Sequence, residues 1–542
     1  MSGSTIGLIM RRPFIRRRFI RRRPAKAPFV VLTAVVIGSF LLAACSGTNN
    51  AAAPPTSSGP AAVNPNGTLV EGYDFSSEFT NTFDPAKSLS ECDSLITEQI
   101  YGFLLTRNSS DAVEPGLASS WSLGHDSVTL DLRPGLTFSD GEPYDARAVM
   151  EGLLHNKVNS MFTELHEITS IDVLSPTSLR INLADNSGVR LLYALTQSSG
   201  ETPAPSTLGG NFSTPVGAGP FRFVSYSEGS QLTLRRYPGY WDAASYKLGG
   251  VKFVQVGAGP PSILALRSGS VDMVRVQPDS YASIDHIAGF ATASRPSSDY
   301  LQIEFRLTGP LAETPVRQAV NLALNRDQIN KIVLAGQGEV ATEPFPPSSP
   351  IYVPGLVGSN HYDPSQARRL LARAGYPHGF TFTLVIPGGG IAIFEELAAL
   401  VQSDLANVGI TVNIKREIGS DLYTSFLIQK QGNALAAENT DNPYPPLILG
   451  QFASNNFSAV QLNAVNPTIN AIMQKADDST SLATIEAYGR EGNRVDVDNA
   501  LEVPIAFLPQ QVAWSKAVVG GDVTAPLNTC APDDFAGVTV SR

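Results

Sequence analysis

Apolar and polar residues alternate with a period of two at several places after residue 120, and turn residues bound each run. Val128-Thr129-Leu130-Asp131-Leu132 ends at Pro134-Gly135, the pattern of a half-buried strand running into a turn. Ser178 to Leu183, Gln231 to Arg235 and Phe380 to Leu384 repeat that period. Between them the period becomes helical. Ala367, Leu370, Leu371 and Ala374 fall three, four and seven positions apart; Asp363 can cap this helix with Pro364 at its first position, and Gly375 can close it. Val316, Ala319, Val320 and Ala323 share the spacing, as do Leu397, Leu400, Val401 and Leu405 before Gly409. Strands and helices are interleaved without an internal repeat, which predicts a mixed α/β body, and 542 residues are too many for one core.

Charge changes the picture by being uneven. Nine of the 39 basic residues precede residue 27 and the first acid is Glu71, so the chain after position 44 holds 30 basic residues against 49 acidic ones. A body that acidic is a poor partner for phosphate backbones, and nucleic-acid binding is set aside. The basic start, Arg11 to Lys26, is followed by sixteen uncharged residues from Phe29 to Ala44. That run is short for a membrane span and reads as the apolar region of an export signal. Leu42-Ala43-Ala44-Cys45 resembles the lipobox of bacterial lipoproteins, which implies cleavage before Cys45 and lipidation of its sulfur. Arg-Arg-x-Phe-Ile-Arg occurs at Arg11 and again at Arg16, so Sec and twin-arginine export both stay open. Residues 45–68 are small and polar and read as a flexible tether. Cys92 and Cys530 remain: either one disulfide ties the first part of the body to its C-terminus, or both are buried free thiols.

Motifs of catalysis are scarce. There is no Gly-x-Ser-x-Gly, Ser-x-x-Lys, Gly-Lys or Gly-x-Gly-x-x-Gly, and the zincin-like start at His166-Glu167 fails at Ser170. No catalytic residue, cofactor or metal site is expected, and the six histidines read as surface or core residues.

Six segments in order are similar to the peptide/nickel class of solute-binding lipoproteins of bacterial ABC importers. They are Leu117 to Trp121 with Leu132 to Pro143; Val216 to Arg222; Tyr237 to Trp241; Leu266 to Asp272; Val316 to Arg326; and Tyr362 to Tyr376. The resemblance implies a two-lobed periplasmic-binding-protein-like fold of the large peptide-binding type, with an interlobe ligand cleft. It suggests lobe I at 69–298 and 508–542 and lobe II at 299–507. Within these signatures Trp121, Tyr240 and Trp241 are expected as core anchors, Arg317 in a structural ion pair, and Gly217 and Gly219 at backbone angles that other residues resist.

Closure over a peptide desolvates its charged ends, so the amine needs a carboxylate. Peptide-binding relatives place a Trp three residues before an amine-binding Asp, and the matching segment here is Leu435 to Pro443. Glu438 falls at the Asp and Leu435 at the Trp; Asp441 is the second candidate, because one extra residue before Pro443 shifts the register. The implied role is a monomeric receptor that delivers oligopeptides or dipeptides to a membrane permease and its ATPase, held at the outer face of the cell membrane by its lipid. A non-peptide solute on the same scaffold, an exported hydrolase, and a surface lipoprotein without transport are the alternatives.

Overall fold

The computed structural model of the chain describes residues 64, 66–75, 79, 82–88, 93–108, 112–158, 163–184, 187–284, 289–388, 392–418, 422, 424–439, 449, 451–453, 456–520 and 534–541. The expected signal peptide, Cys45, the tether up to residue 63, Cys92, Asp441 and Cys530 lie outside these. Three larger sheets organise the described residues. The first runs Phe290–Arg295, Gln510–Ser515, Met273–Arg275, Thr68–Tyr73, Gly250–Gln255, Gln231–Arg236, Phe221–Ser227. Thr68–Tyr73 is parallel to both of its neighbours, and the remaining pairs are antiparallel. The second runs Glu339–Val340, Glu502–Phe507, Tyr300–Phe305, Ala434–Asn439, Thr381–Pro387, Thr411–Glu417. An antiparallel third sheet holds Ala118–Leu123, Ser127–Leu132, Ser178–Leu183 and Ile168–Ser175.

The strands expected from alternation form at those places, and so do the helices. Asp363 Oδ1 accepts from the Gln366 amide at 2.8 Å to open the helix Pro364–Arg373, and Gly375 closes it with φ +90°. Asp145 Oδ1 accepts from the Arg147 and Ala148 amides at 3.0 Å and so starts Ala146–Asn156. The periodic leucines and alanines meet in one core: Val316, Val320, Ala367, Leu371, Leu397, Val401 and Leu405 pack on Leu301, Ile303 and Phe305 of the second sheet. The sheet's other face carries a separate core, which includes Leu435, Val385, Phe426 and Ile469.

Three expectations about the signatures change. Trp121 is half-buried against the third sheet's core and Tyr240 is half-buried, but Trp241 is 38% exposed, with the Arg133 guanidinium 3.8 Å over its ring. It is a surface stack, not a core anchor. Arg317 is buried, yet its hydrogen bonds go mainly to the main chain: it donates to the carbonyls of Leu311, Ala312, Asn499 and Ala500, and to the side-chain Thr314 Oγ1, at 2.8–3.0 Å. It therefore caps the end of the helix Leu482–Asn499, with the Asp496 charge acting at longer range. Gly217 is required by space, because a Cβ there would lie 2.3 Å from the Ile100 carbonyl oxygen, and its φ is not positive. In the first signature, positive-φ turns fall at Gly135 and Gly141, which follow Pro134 and Asp140.

Candidate functional site

The chain passes between the first two sheets at residues 296–299 and again at Leu508-Pro509. The passages are bonded to each other: Ser297 Oγ donates to the Leu508 carbonyl at 2.6 Å, and the Leu508 amide to the Asp299 carbonyl at 2.7 Å. Gln510 Nε2 adds a bond to Asp299 Oδ2 at 2.9 Å. Against this crossing lies a crevice. The first sheet contributes Arg275, and the turn after it contributes Val276, Gln277, Pro278 and Tyr281. Glu438 comes from the second sheet, Leu508 from the crossing itself, and Gln510 from the start of the first-sheet strand that follows it. The free space within this lining is about 20 Å³, room for about one water.

Glu438 reaches the crevice because of how its strand is buried. Ala434 and Ala436 enter the core on one face of Ala434–Asn439, and Leu435 and Ala437 the core on the other. Alternation is lost in a strand covered on both sides, and only apolar residues fit. At Glu438, opposite Leu301, burial falls to intermediate, and the first acid of the segment emerges. Leu435, at the position of the relatives' Trp, is fully buried and does not line the crevice. Asp441, the second candidate, lies outside the described residues, as do Cys45, Cys92 and Cys530.

Arg275, Gln277, Tyr281 and Gln510 were not singled out in the sequence. Val274 and Val276 pack into the core beneath the first sheet, so Arg275 between them turns the other way and stays half-buried at the strand end. Tyr281 is buried and donates from its hydroxyl to the Pro509 carbonyl at 2.6 Å. Burial, then the charges of Glu438 and Asp299, raise its pKa, so the phenol stays neutral. The one signal was local: Arg275 lies three residues beyond Asp272, the end of a family-like segment.

Behind Glu438 the next residue joins a buried acid network. Asn439 Nδ2 donates to the Tyr300 hydroxyl at 2.9 Å, and Tyr300 donates to Glu502 Oε2 at 2.9 Å. Gln451 Nε2 donates to Glu502 Oε1 at 3.2 Å, and Asp496 shares a hydrogen bond with the same carboxyl. Burial pushes Glu502 up to about 7, and burial with the Glu502 charge does the same to its cross-strand neighbour Glu304. Asp496 is raised by burial and then by Glu502. Among the described residues, no group of three or more His, Cys, Asp or Glu side chains is arranged to hold a metal ion.

The profile of the bacterial extracellular solute-binding proteins, family 5 (middle), matches residues 112–459. The glutathione-binding protein GsiB of Pectobacterium atrosepticum is 30% identical over 321 residues. That match covers 55% of this chain and 60% of the relative, less than two thirds of its length. GsiB of Escherichia coli K12 is 26% identical over 355 residues, covering 62% of this chain and 67% of that protein. Of solved structures, NikA from Brucella suis in complex with Fe(III)-EDTA superposes with a TM-score of 0.77 at 22% identity, over 87% of this chain and 99% of that one. The periplasmic binding protein DppA from Helicobacter pylori, in complex with peptide STSA, gives 0.71 at 20% identity, over 88% and 98%. These matches establish the mixed α/β, two-lobed periplasmic-binding-protein fold.

Proposed function

The chain belongs to the bacterial extracellular solute-binding proteins of family 5, and from that premise we propose that it is the lipid-anchored receptor of an ABC importer, taking oligopeptides or dipeptides. Lobe I comprises residues 69–298 and 508–542, and lobe II residues 299–507. Cys45 carries the lipid, and the tether after it holds the body clear of the outer face of the membrane. Solute enters between the lobes and stabilises the closed form, which docks on a permease whose ATPase drives transfer. No bond in the solute is made or broken.

The observation that carries this reading is the placement of Glu438. It is a carboxylate near the end of an interior strand of one sheet, in a crevice whose opposite wall comes from the other. That is the geometry a peptide ammonium needs when two lobes close on it. A second reading keeps the receptor and changes the solute. It is favoured by the relatives described as glutathione-binding and by the fold neighbour holding Fe(III)-EDTA.

Native mass spectrometry of the body expressed from Ser46 onward, before any ligand is added, tests both. A series of co-purified masses that resolve into peptides is the expected result. A single non-peptide mass moves the function to a dedicated solute, and a bare protein mass from several hosts speaks against tight peptide capture.

A further inference from the structure

Resting on the receptor reading, we propose that Tyr300 and Glu502, which lie behind the crevice, position the end of the strand Ala434–Asn439 for capture through a hydrogen-bond relay that is taut only while Glu502 is ionised.

The strand needs such a hold at one end only. Ala434 to Ala437 are buried in the cores on its two faces, and Ala434 and Leu435 also pair with Thr381–Pro387. From Ala436 onward the ladder, among the described residues, is with Tyr300–Phe305 alone, and Glu438 and Asn439 are only half-buried. Glu438 lines the crevice, so slack at this end moves one of its walls. The cross-strand partner of Asn439 is Tyr300, whose hydroxyl accepts from Asn439 Nδ2 at 2.9 Å and donates to Glu502 Oε2 at 2.9 Å. Tyr300 is fully buried, with its ring packed edge-on against Phe507 at 5.8 Å between centroids. Burial, then the Glu502 charge, raise its pKa, so it keeps its proton and passes the bond on.

The far end of the relay is the part that changes. Glu502 is buried, and burial pushes its pKa up to about 7. Asp496 of the helix Leu482–Asn499, Gln451 and the cross-strand Glu304 face it; the Arg317 charge acts on Asp496, and the Arg306 charge on Glu304. An ionised carboxylate accepts about twice as strongly as a neutral one, and polarisation carries the gain along the chain from Asn439 to Glu502. The relay is therefore taut above about pH 7 and slack below it. Global stability runs the other way over this range, because the charge is buried. The opposition separates the roles: residues that only held the fold would move local order and melting temperature in the same direction.

The test is hydrogen exchange of the free protein, read at residues 436–439 and corrected for intrinsic rates, beside isothermal calorimetry with tri-alanine and with glutathione. Wild type, Glu502→Gln and Tyr300→Phe are compared at pH 6 and pH 8, and comparison at one pH cancels titration of the probes. Glu502→Gln is expected to match wild type at pH 6. At pH 8 it is expected to exchange faster and bind more weakly, each by about 3- to 10-fold, the difference between a charged and a neutral hydrogen bond, while melting higher than wild type. Tyr300→Phe cuts the relay and loses at both pH values; where it does not fold, Glu502→Gln decides. Exchange in Glu502→Gln that equals wild type at pH 8 overturns the relay. Losses that are equal at pH 6 and pH 8, or faster exchange with unchanged capture, overturn the positioning role. Wild type that binds neither probe overturns the receptor reading and the role in capture together; that failure shows in the wild type, whereas failure of the relay shows in the exchange of the free protein.

Discussion

Glu438 and Arg317 are charged residues on elements packed into apolar cores, and their neighbours give them opposite duties. Glu438 stands where a doubly covered strand runs out of cover, beside a crevice. Glu438→Ala is expected to weaken peptides with free N-termini by about 3–5 kcal/mol and to spare N-acetylated ones. Calorimetry that finds the same loss for both would remove Glu438 from amine recognition. Arg317 is enclosed, and its five bonds go to groups that no other described side chain serves. Burial lowers its pKa to about 10, still far above neutrality, so it stays charged. Arg317→Met leaves those carbonyls without their donor and should cost about 3 kcal/mol, read as a lower urea midpoint. An unchanged midpoint would mean that water or neighbouring amides take its place.

At the scale of elements, what could be read from the sequence depended on how many faces are buried. Val128–Leu132 and the helix closed by Gly375 bury one face each, so period and caps announced them. Ala434–Asn439 is buried on both faces and shows no period; resemblance, not alternation, drew attention to it. Half of the crevice was likewise illegible, because Arg275 and Glu438 are 163 positions apart and meet through sheet order alone. The junction of the helix Leu482–Asn499 with the strand Glu502–Phe507 hides another property, the Asp496–Glu502 pair. Glu502 has its pKa raised from 4.5 to about 7, so between those values the folded state binds more protons than the unfolded one. Stability is therefore expected to fall as pH rises from about 4.5 to 7 and then level off. Glu502→Gln, a stand-in for the protonated acid, should flatten that slope and raise the melting temperature at pH 8. A variant with the wild-type slope would assign the titration to Glu304 or another acid.

For the whole molecule, the paired crossing decides which motion is cheap. Sliding one sheet past the other would break the bonds among Ser297, Leu508, Asp299 and Gln510, whereas rotation about the crossing can keep them and change a few backbone angles. The soft motion is thus opening and closing of the crevice between Arg275 and Glu438. A solute that touches both walls when closed and one when open shifts the equilibrium by the difference between those contacts and by no more. Saturating the body with the solute recovered by mass spectrometry should therefore lower its radius of gyration in small-angle scattering. Asp299→Asn replaces one Oδ by an amide and disturbs the bond from Gln510, and it also removes a charge that acts on Tyr281 in the crevice. It should alter affinity and the free protein's radius together, in proportion to the open fraction it creates. Binding seen by calorimetry at constant radius, in wild type and variant alike, would show that capture proceeds without closure and that the crossing is a brace instead of a hinge.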